Sequence, residues 1–346
     1  AFRELVMSSV NRAKIRSLAV LERDINQDVM LVWSFPVGLD VTHGNILVLR
    51  SGLKDMDMSF RFAKFKNCWQ YFLAIPIESK LKQRVKAACI VVLAEQFNPE
   101  KFHKLLIVLT NMYKQDVSPK PLMRTYLQLF RKSEIEGWSD NKFDNRRALI
   151  AGSIKSVVKT FGVQSVLIWA AILLKKRIFV YGEQVSSLLS TLRTFPLFGA
   201  WHRQDWSMLR PLVCLSPSEM EDLKMSKWYV VGSTDSRCSS KDQLYDLLVD
   251  LTSAKITVPA HAQASITMTK FHKKMADVFV KAGGSESDQG VIKVIALKTK
   301  ELIDQVKSLQ TKLGLDKLTL AGLAGKVPPS MHRFLFDVAV AEGIAG

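Results

Sequence analysis

The sequence predicts a mixed α/β protein: an N-terminal antiparallel sheet with helices, a central α/β lobe and a helical C-terminal part. Three observations carry this. Residues 1–131 hold apolar, β-branched runs separated by turn residues, followed by two proline-started helical patterns. Residues 144–258 alternate helical periodicity with short apolar runs, the pattern of a largely buried sheet. From Pro259 to the end, 259–346, the periodicity is helical. Between the first two parts, residues 132–143 lose periodicity and collect Gly137, Ser139, Asp140 and Asn141, so a linker is expected there.

The elements follow in order. Residues 15–21 form the first strand, and the turn Asn26-Gln27-Asp28 leads to a second over 29–35, ended by Pro36 and Gly38. Residues 60–65 alternate weakly, while 69–75 and 85–93 are rich in β-branched and aromatic residues. Asn98 and Pro99 supply the cap and first-turn proline of a helix through Phe102, Leu105, Leu106 and Leu109 to Tyr113. Ser118-Pro119 repeats that signal for a helix ending near Arg131. Asp144 caps a helix carrying Leu149, Ile154, Val157, Val158 and Phe161, closed by Gly162. An apolar segment over 163–174 leads to a strand at 177–181, then come a helix over 183–195, a Ser216-capped helix and a strand ending at Gly232. Residues 245–258 are the last strand material, broken around Ser253-Ala254. A helix over 261–280, a polar Gly-Ser loop at 283–288, a helix over 291–313 and a last one after Pro328-Pro329 complete the chain. In the 291–313 helix Ile295, Leu302 and Leu309 recur every seven residues, with Ile292, Val306 and Leu313 between them. That seam either docks on its own domain or pairs with a partner coiled coil.

With 346 residues, 48% of them hydrophobic, the chain can bury more than one core. Its net charge of +17 divides into +9 over 1–131 (20 basic against 11 acidic) and +8 over 132–346 (29 against 21). No basic tail, arginine-rich segment or aromatic-glycine word accompanies the charge. It therefore points away from nucleic acid, toward an acidic partner or peripheral contact with an anionic membrane. Cys68, Cys89, Cys214 and Cys238 are scattered, which predicts neither zinc nor disulfides but core thiols in a reducing compartment. Residues 1–10 never develop a long apolar run and the apolar stretch 166–174 is too short to span a bilayer, so a soluble cytoplasmic protein is expected.

Phosphate-loop, dinucleotide, nucleophile-elbow, zincin and kinase words are not found. The six histidines form no ligand cluster by spacing. His202 beside Arg203 and Asp205 has the residue types of a general base, but between Trp201 and Trp206 it reads as part of a hydrogen-bonded loop. No catalytic residue, metal or cofactor is predicted.

Word order adds a resemblance. Ala151-Gly152-Ser153-Ile154, Leu173-Leu174-Lys175-Lys176-Arg177-Ile178 and Trp201-His202-Arg203-Gln204-Asp205-Trp206 resemble the central part of a DENN domain. Val32-Trp33-Ser34-Phe35-Pro36, Gln96-Phe97-Asn98-Pro99-Glu100-Lys101 and Phe143-Asp144-Asn145-Arg146-Arg147 fall in matching order, as do Leu244-Tyr245-Asp246 and Ile295-Ala296-Leu297-Lys298-Thr299-Lys300-Glu301. The similarity is to the small single-module DENN proteins, over essentially the whole chain. It implies a longin-like N-terminal lobe, a central α/β DENN lobe and a helical C-terminal part. It also implies a Rab GTPase as partner and guanine-nucleotide exchange by differential binding, without covalent chemistry. Further, it implies action on late endosomes and coiled-coil subunits of the Commander assembly as partners, with a non-catalytic adaptor as the alternative function. One departure is Lys227-Trp228-Tyr229-Val230-Val231-Gly232, where DENN proteins commonly show a proline-tyrosine word before the closing glycine.

Two sets of residues are candidates for recognition. Trp33 and Phe35, two apart on a strand and followed by Pro36, form a partner-binding anchor if their face is open; otherwise they pack beneath the lobe's helices. Lys80, Lys82, Arg84 and Lys86 alternate and on a strand would line one face over roughly 20 Å. That is either a ridge for acidic headgroups or an acidic partner, or the solvated face of a strand whose Leu81 and Val85 point inward.

Overall fold

Strand β1 (Ile15–Asp24) pairs antiparallel on both sides, with the strand that follows it in the chain and with one some sixty residues later, and so lies inside a sheet. The computed structural model describes residues 14–36, 41–78, 83–199, 202, 206–313 and 318–345, and the chain divides into two compact units, 1–150 and 151–346. Gly38 lies outside the described residues.

The first unit is built on β1, β2 (Val29–Phe35), β3 (Phe60–Phe65), β4 (Cys68–Pro76) and β5 (Val85–Ala94), paired antiparallel in the order β2-β1-β5-β4-β3. Alternation is lost in β1 and β5 because both faces are covered: residues 18–21 and 87–92 are fully buried. Successive residues of β4 show the two layers. Tyr71 stacks on Phe102 of α2 (Pro99–Asp116) at 4.4 Å, and its hydroxyl donates to Gln96 O while accepting from Asn98 N, fixing the capped start of that helix. Gln70, its neighbour, takes Nη1 of Arg50 on its Oε1 at 2.8 Å and meets His43 Nε2 at 3.1 Å, both from α1 (Val41–Arg50) on the opposite face. Helix α3 (Lys120–Lys132) follows α2.

Residues 132–143, expected as linker, are ordered. They form a hairpin of β6 (Glu134–Ile135) and β7 (Trp138–Ser139) and a short 3-10 turn, before α4 (Asn145–Ile150). Trp138 is buried and donates its Nε1 to Lys101 O at 3.1 Å, while the buried Lys101 ammonium donates to Gln96 Oε1 at 2.6 Å and pairs with Asp140. Two-residue strands are too short to leave a period in the sequence.

The second unit has helices α5 (Ile154–Phe161) and α6 (Ser165–Leu173), then β8 (Arg177–Tyr181), α7 (Val185–Leu192), β9 (Leu209–Arg210), α8 (Pro217–Met225), β10 (Tyr229–Ser233), β11 (Leu247–Asp250) and β12 (Lys255–Thr257). The strand order is β12-β11-β8-β10-β9; β8 runs parallel to β10 and β11, and β12 closes the edge antiparallel. Helices α9 (Lys270–Ser285), α10 (Asp288–Leu313), α11 (Leu320–Leu323) and α12 (Pro329–Ala341) complete the unit. The observed architecture is the mixed α/β one that the patterning predicts.

Three boundaries differ from expectation. The helix expected from Asp144 to Phe161 is two helices, because Ser153 caps the second one through Ser156 N. The 183–195 helix stops at Leu192 and turns 3-10 at Phe195-Pro196. The helix expected at 261–280 starts only at the Thr269 cap and runs on through Gly283, where a Cβ would come within 2.8 Å of Val158. Gly283 thus serves the close approach of α9 to α5, not a loop. The segment Asn145–Leu173 is long and apolar enough to cross a membrane by length and composition, yet 67% of its most apolar window is buried inside the fold.

Helix α10 spends its seam within its own unit. Ile295, Leu302 and Val306 are buried there, and Leu309 is half-buried. Its Thr299 hydroxyl accepts from Trp169 Nε1 of α6 at 2.8 Å and donates to Ile295 O.

His272, in the first turn of α9, is buried against Phe334 and hydrogen-bonds through Nδ1 with Thr269. Burial pushes its pKa down to about 4, so the folded chain holds it neutral. The unfolded chain protonates it near 6.5, so this stability is complete above about pH 6.5 and is lost as pH falls toward 4, by roughly 3 kcal/mol in all. Urea midpoints measured from pH 7 to pH 5 are expected to fall in the parent. They should fall less in His272→Gln, which keeps the capping geometry without a titrating ring.

Candidate functional site

The anchor candidates lie on β2, an edge strand, and its register decides their face. Val20 stands opposite Trp33 but Leu21 opposite Leu31, so Val32 is the extra residue of a β-bulge. The bulge separates two sets of side chains that plain alternation would have placed together. Leu31 lies against Gly44 of α1, whereas Trp33 and Phe35 turn to the face that carries α3.

There an aromatic row forms. Trp33 stacks on Phe35 with centroids 6.4 Å apart and planes 8° apart. Phe35 meets Tyr126 of α3 edge-on at 5.2 Å, and Tyr126 lies 6.4 Å from Phe130. Tyr126 itself is buried and donates its hydroxyl to Arg16 O at 3.1 Å, which ties the row to β1. Trp33 and Phe35 are half-buried and Pro36 is exposed after a cis peptide bond. The rings thus pack toward α3, as the covered alternative expects, yet remain only half-buried.

Helix α3 extends the surface. Leu122, Thr125, Tyr126 and Leu129 face inward, while Met123, Leu127 and Phe130 are 42%, 48% and 41% exposed. These three are absent from the sequence-based candidates. Their spacing of four and three is the signal, since it defines one stripe beside the inward row.

The basic ridge is described only in part. Lys80, Leu81 and Lys82 lie outside the described residues. Arg84 sits in the turn before β5 and Lys86 on it, both exposed, with Val85 buried between them. Their carbonyls accept from Ile25 N at 3.0 Å and Ile77 N at 2.9 Å. Of the tryptophan-flanked word, Trp201, Arg203, Gln204 and Asp205 likewise lie outside the described residues, while His202 Nε2 stands 2.6 Å from Glu342 Oε2 in the second unit.

Among the described residues, no group of three or more His, Cys, Asp or Glu is placed to hold a metal ion. Burial pushes the thiols of Cys89 and Cys238 up to about 12, which leaves them unreactive at neutral pH.

Two family models match the chain: one described as Stabilization of polarity axis over residues 152–260, and one for the transport protein Avl9 over residues 78–198. DENN domain-containing protein 10 of Dictyostelium discoideum is 36% identical over 358 residues, covering 95% of this chain and 98% of the relative. The proteins of that name from Danio rerio and Homo sapiens are 35% and 34% identical, each over 94% of this chain and 96% and 95% of their own lengths. The chain belongs to the DENN domain-containing protein 10 family. In this DENN-domain protein the Avl9 match includes α3, and the polarity-axis match spans the parallel strands of the second unit. Trp33 and Phe35 precede both matches.

Proposed function

We propose that this DENN-domain protein is a guanine-nucleotide exchange factor for a Rab GTPase, acting from the cytoplasm on late endosomes. The observation that supports this is the relation to DENN domain-containing protein 10 sequences along nearly the full length of both chains. Exchange requires no covalent step. A surface that binds the nucleotide-free Rab more tightly than the loaded one shifts the equilibrium toward release, by no more than that difference in affinity. We assign Trp33, Phe35 and Pro36 to this surface, since large aromatic anchors dominate interface energies and these two are only half-buried in the lone chain.

The test is release of a fluorescent GDP analogue from a panel of purified endosomal Rabs with this protein in excess. Acceleration is expected for one or two Rabs. Trp33→Asp, provided it stays folded at the assay temperature, should reduce it by at least about tenfold, the scale of losing one interface anchor. A flat panel, with every Rab responsive to EDTA, would replace this reading by that of an adaptor docking on coiled-coil subunits of the Commander assembly. In that case the docking surface is not the α10 seam, whose Ile295, Leu302 and Val306 are already buried.

A further inference from the structure

We infer that the outward face of α3 docks on an anionic lipid surface. At 100° per residue, Met123, Leu127 and Phe130 span about 60° of the helix, and Lys120, Arg131 and Arg124 occupy about the next 40°. All six side chains are exposed. The helix contains no aspartate or glutamate. An apolar stripe therefore lies between the row that packs on the sheet and a row of one sign of charge. That is the arrangement in which apolar side chains enter the headgroup boundary while long basic ones reach up to phosphates.

Two features favour a membrane over a protein as the occupant. Three side chains, each less than half exposed, fall well short of the ~800 Å² that each partner of a standard protein interface buries. An uninterrupted basic row suits a polyanionic plane, where every charge is favourable, and the chain's net +17 adds to the same attraction. The inference rests on α3 and not on Arg84 and Lys86 beside β5.

Cosedimentation of the full chain with phosphatidylcholine vesicles, with and without phosphatidylserine, tests it. Binding is expected only to the anionic vesicles and should weaken as salt is raised. Each basic side chain near such a surface strengthens binding about fivefold, so Arg124→Glu with Arg131→Glu should weaken it more than about twentyfold. Leu127→Ser with Phe130→Ser should weaken it about tenfold. The charge pair, on exposed side chains, carries the test if the apolar pair melts early. The inference is overturned if anionic vesicles are not bound. It is equally overturned if binding survives both α3 pairs, or is lost with Arg84→Glu and Lys86→Glu but not with Arg124→Glu and Arg131→Glu. Loss of Rab capture in the α3 variants with vesicle binding intact would show a protein interface in its place.

Discussion

Trp169→Ala is expected to destabilise the second unit by about 4 kcal/mol, the scale of emptying a fully buried tryptophan site. Trp169 on α6 is fully buried and its ring lies 5.6 Å from Phe279 of α9, 5.7 Å from Phe334 of α12 and 6.4 Å from Phe271. One side chain therefore joins three helices. At roughly 2–4 °C per kcal/mol for a unit of this size, its loss should lower the melting temperature by about 8–16 °C. Trp169→Phe separates ring from hydrogen bond. It retains aromatic packing, and the Thr299 hydroxyl still donates to Ile295 O, so about 1 kcal/mol should be lost with the indole N–H bond. A melting curve of Trp169→Ala within 2 °C or so of the parent, against the 2–4 °C expected per kcal/mol, would overturn this account of the core.

The second large effect concerns the entry to the parallel sheet. Arg177 begins β8 and Asp246 precedes β11. Asp246 Oδ2 accepts from Arg177 N at 2.9 Å and Nε at 3.3 Å, Oδ1 accepts from Nη2 at 2.8 Å, and Arg177 Nη1 donates to Gln243 O at 2.7 Å. The carboxylate thus holds both the strand's first amide and the guanidinium, in a site only partly open to water. Asp246→Ala leaves that cation without its partner and should cost about 3 kcal/mol, the low end for breaking a buried pair because both groups keep some solvent. Burial alone would raise the Asp246 pKa, but the Arg177 hydrogen bonds and charge win and hold it below 3.8. Its contribution is therefore complete above about pH 4 and is lost as pH falls through the lowered value. Chemical denaturation should show a large loss for Asp246→Ala at neutral pH and a smaller difference from the parent in strong acid. A constant difference across that range would rule out the ionic part of the account.

Much of the fold was legible because its signals are local. The β2, β3 and β8 spans were read to the residue, each bounded by turn residues or a change of period. The Asn98 and Ser216 caps were equally plain, since capping needs only a side-chain oxygen three residues before the backbone N–H that donates to it. Other features have no local signal. Gly283 read as a loop because glycine commonly marks one; here it lets α9 press on Val158, a residue 125 positions earlier. The hairpin at Trp138 is too short for a period, and its order comes from the Lys101 it covers. The candidate site divides the same way. Trp33 and Phe35 stood out as paired aromatics on a strand, but the bulge at Val32 that sends them toward Tyr126 follows from pairing with β1.

By itself the sequence determined most elements in their order, though not α1, the β6–β7 hairpin or α11, together with the mixed α/β class and the family, since caps, periods and word order are properties of neighbouring residues. Tertiary structure decided which faces remained available. The α10 seam was consumed inside its own unit, while α3, amphipathic by the same measure, kept Met123, Leu127 and Phe130 outside. A period shows that a helix has an apolar side; only long-range packing determines how much of that side is already covered.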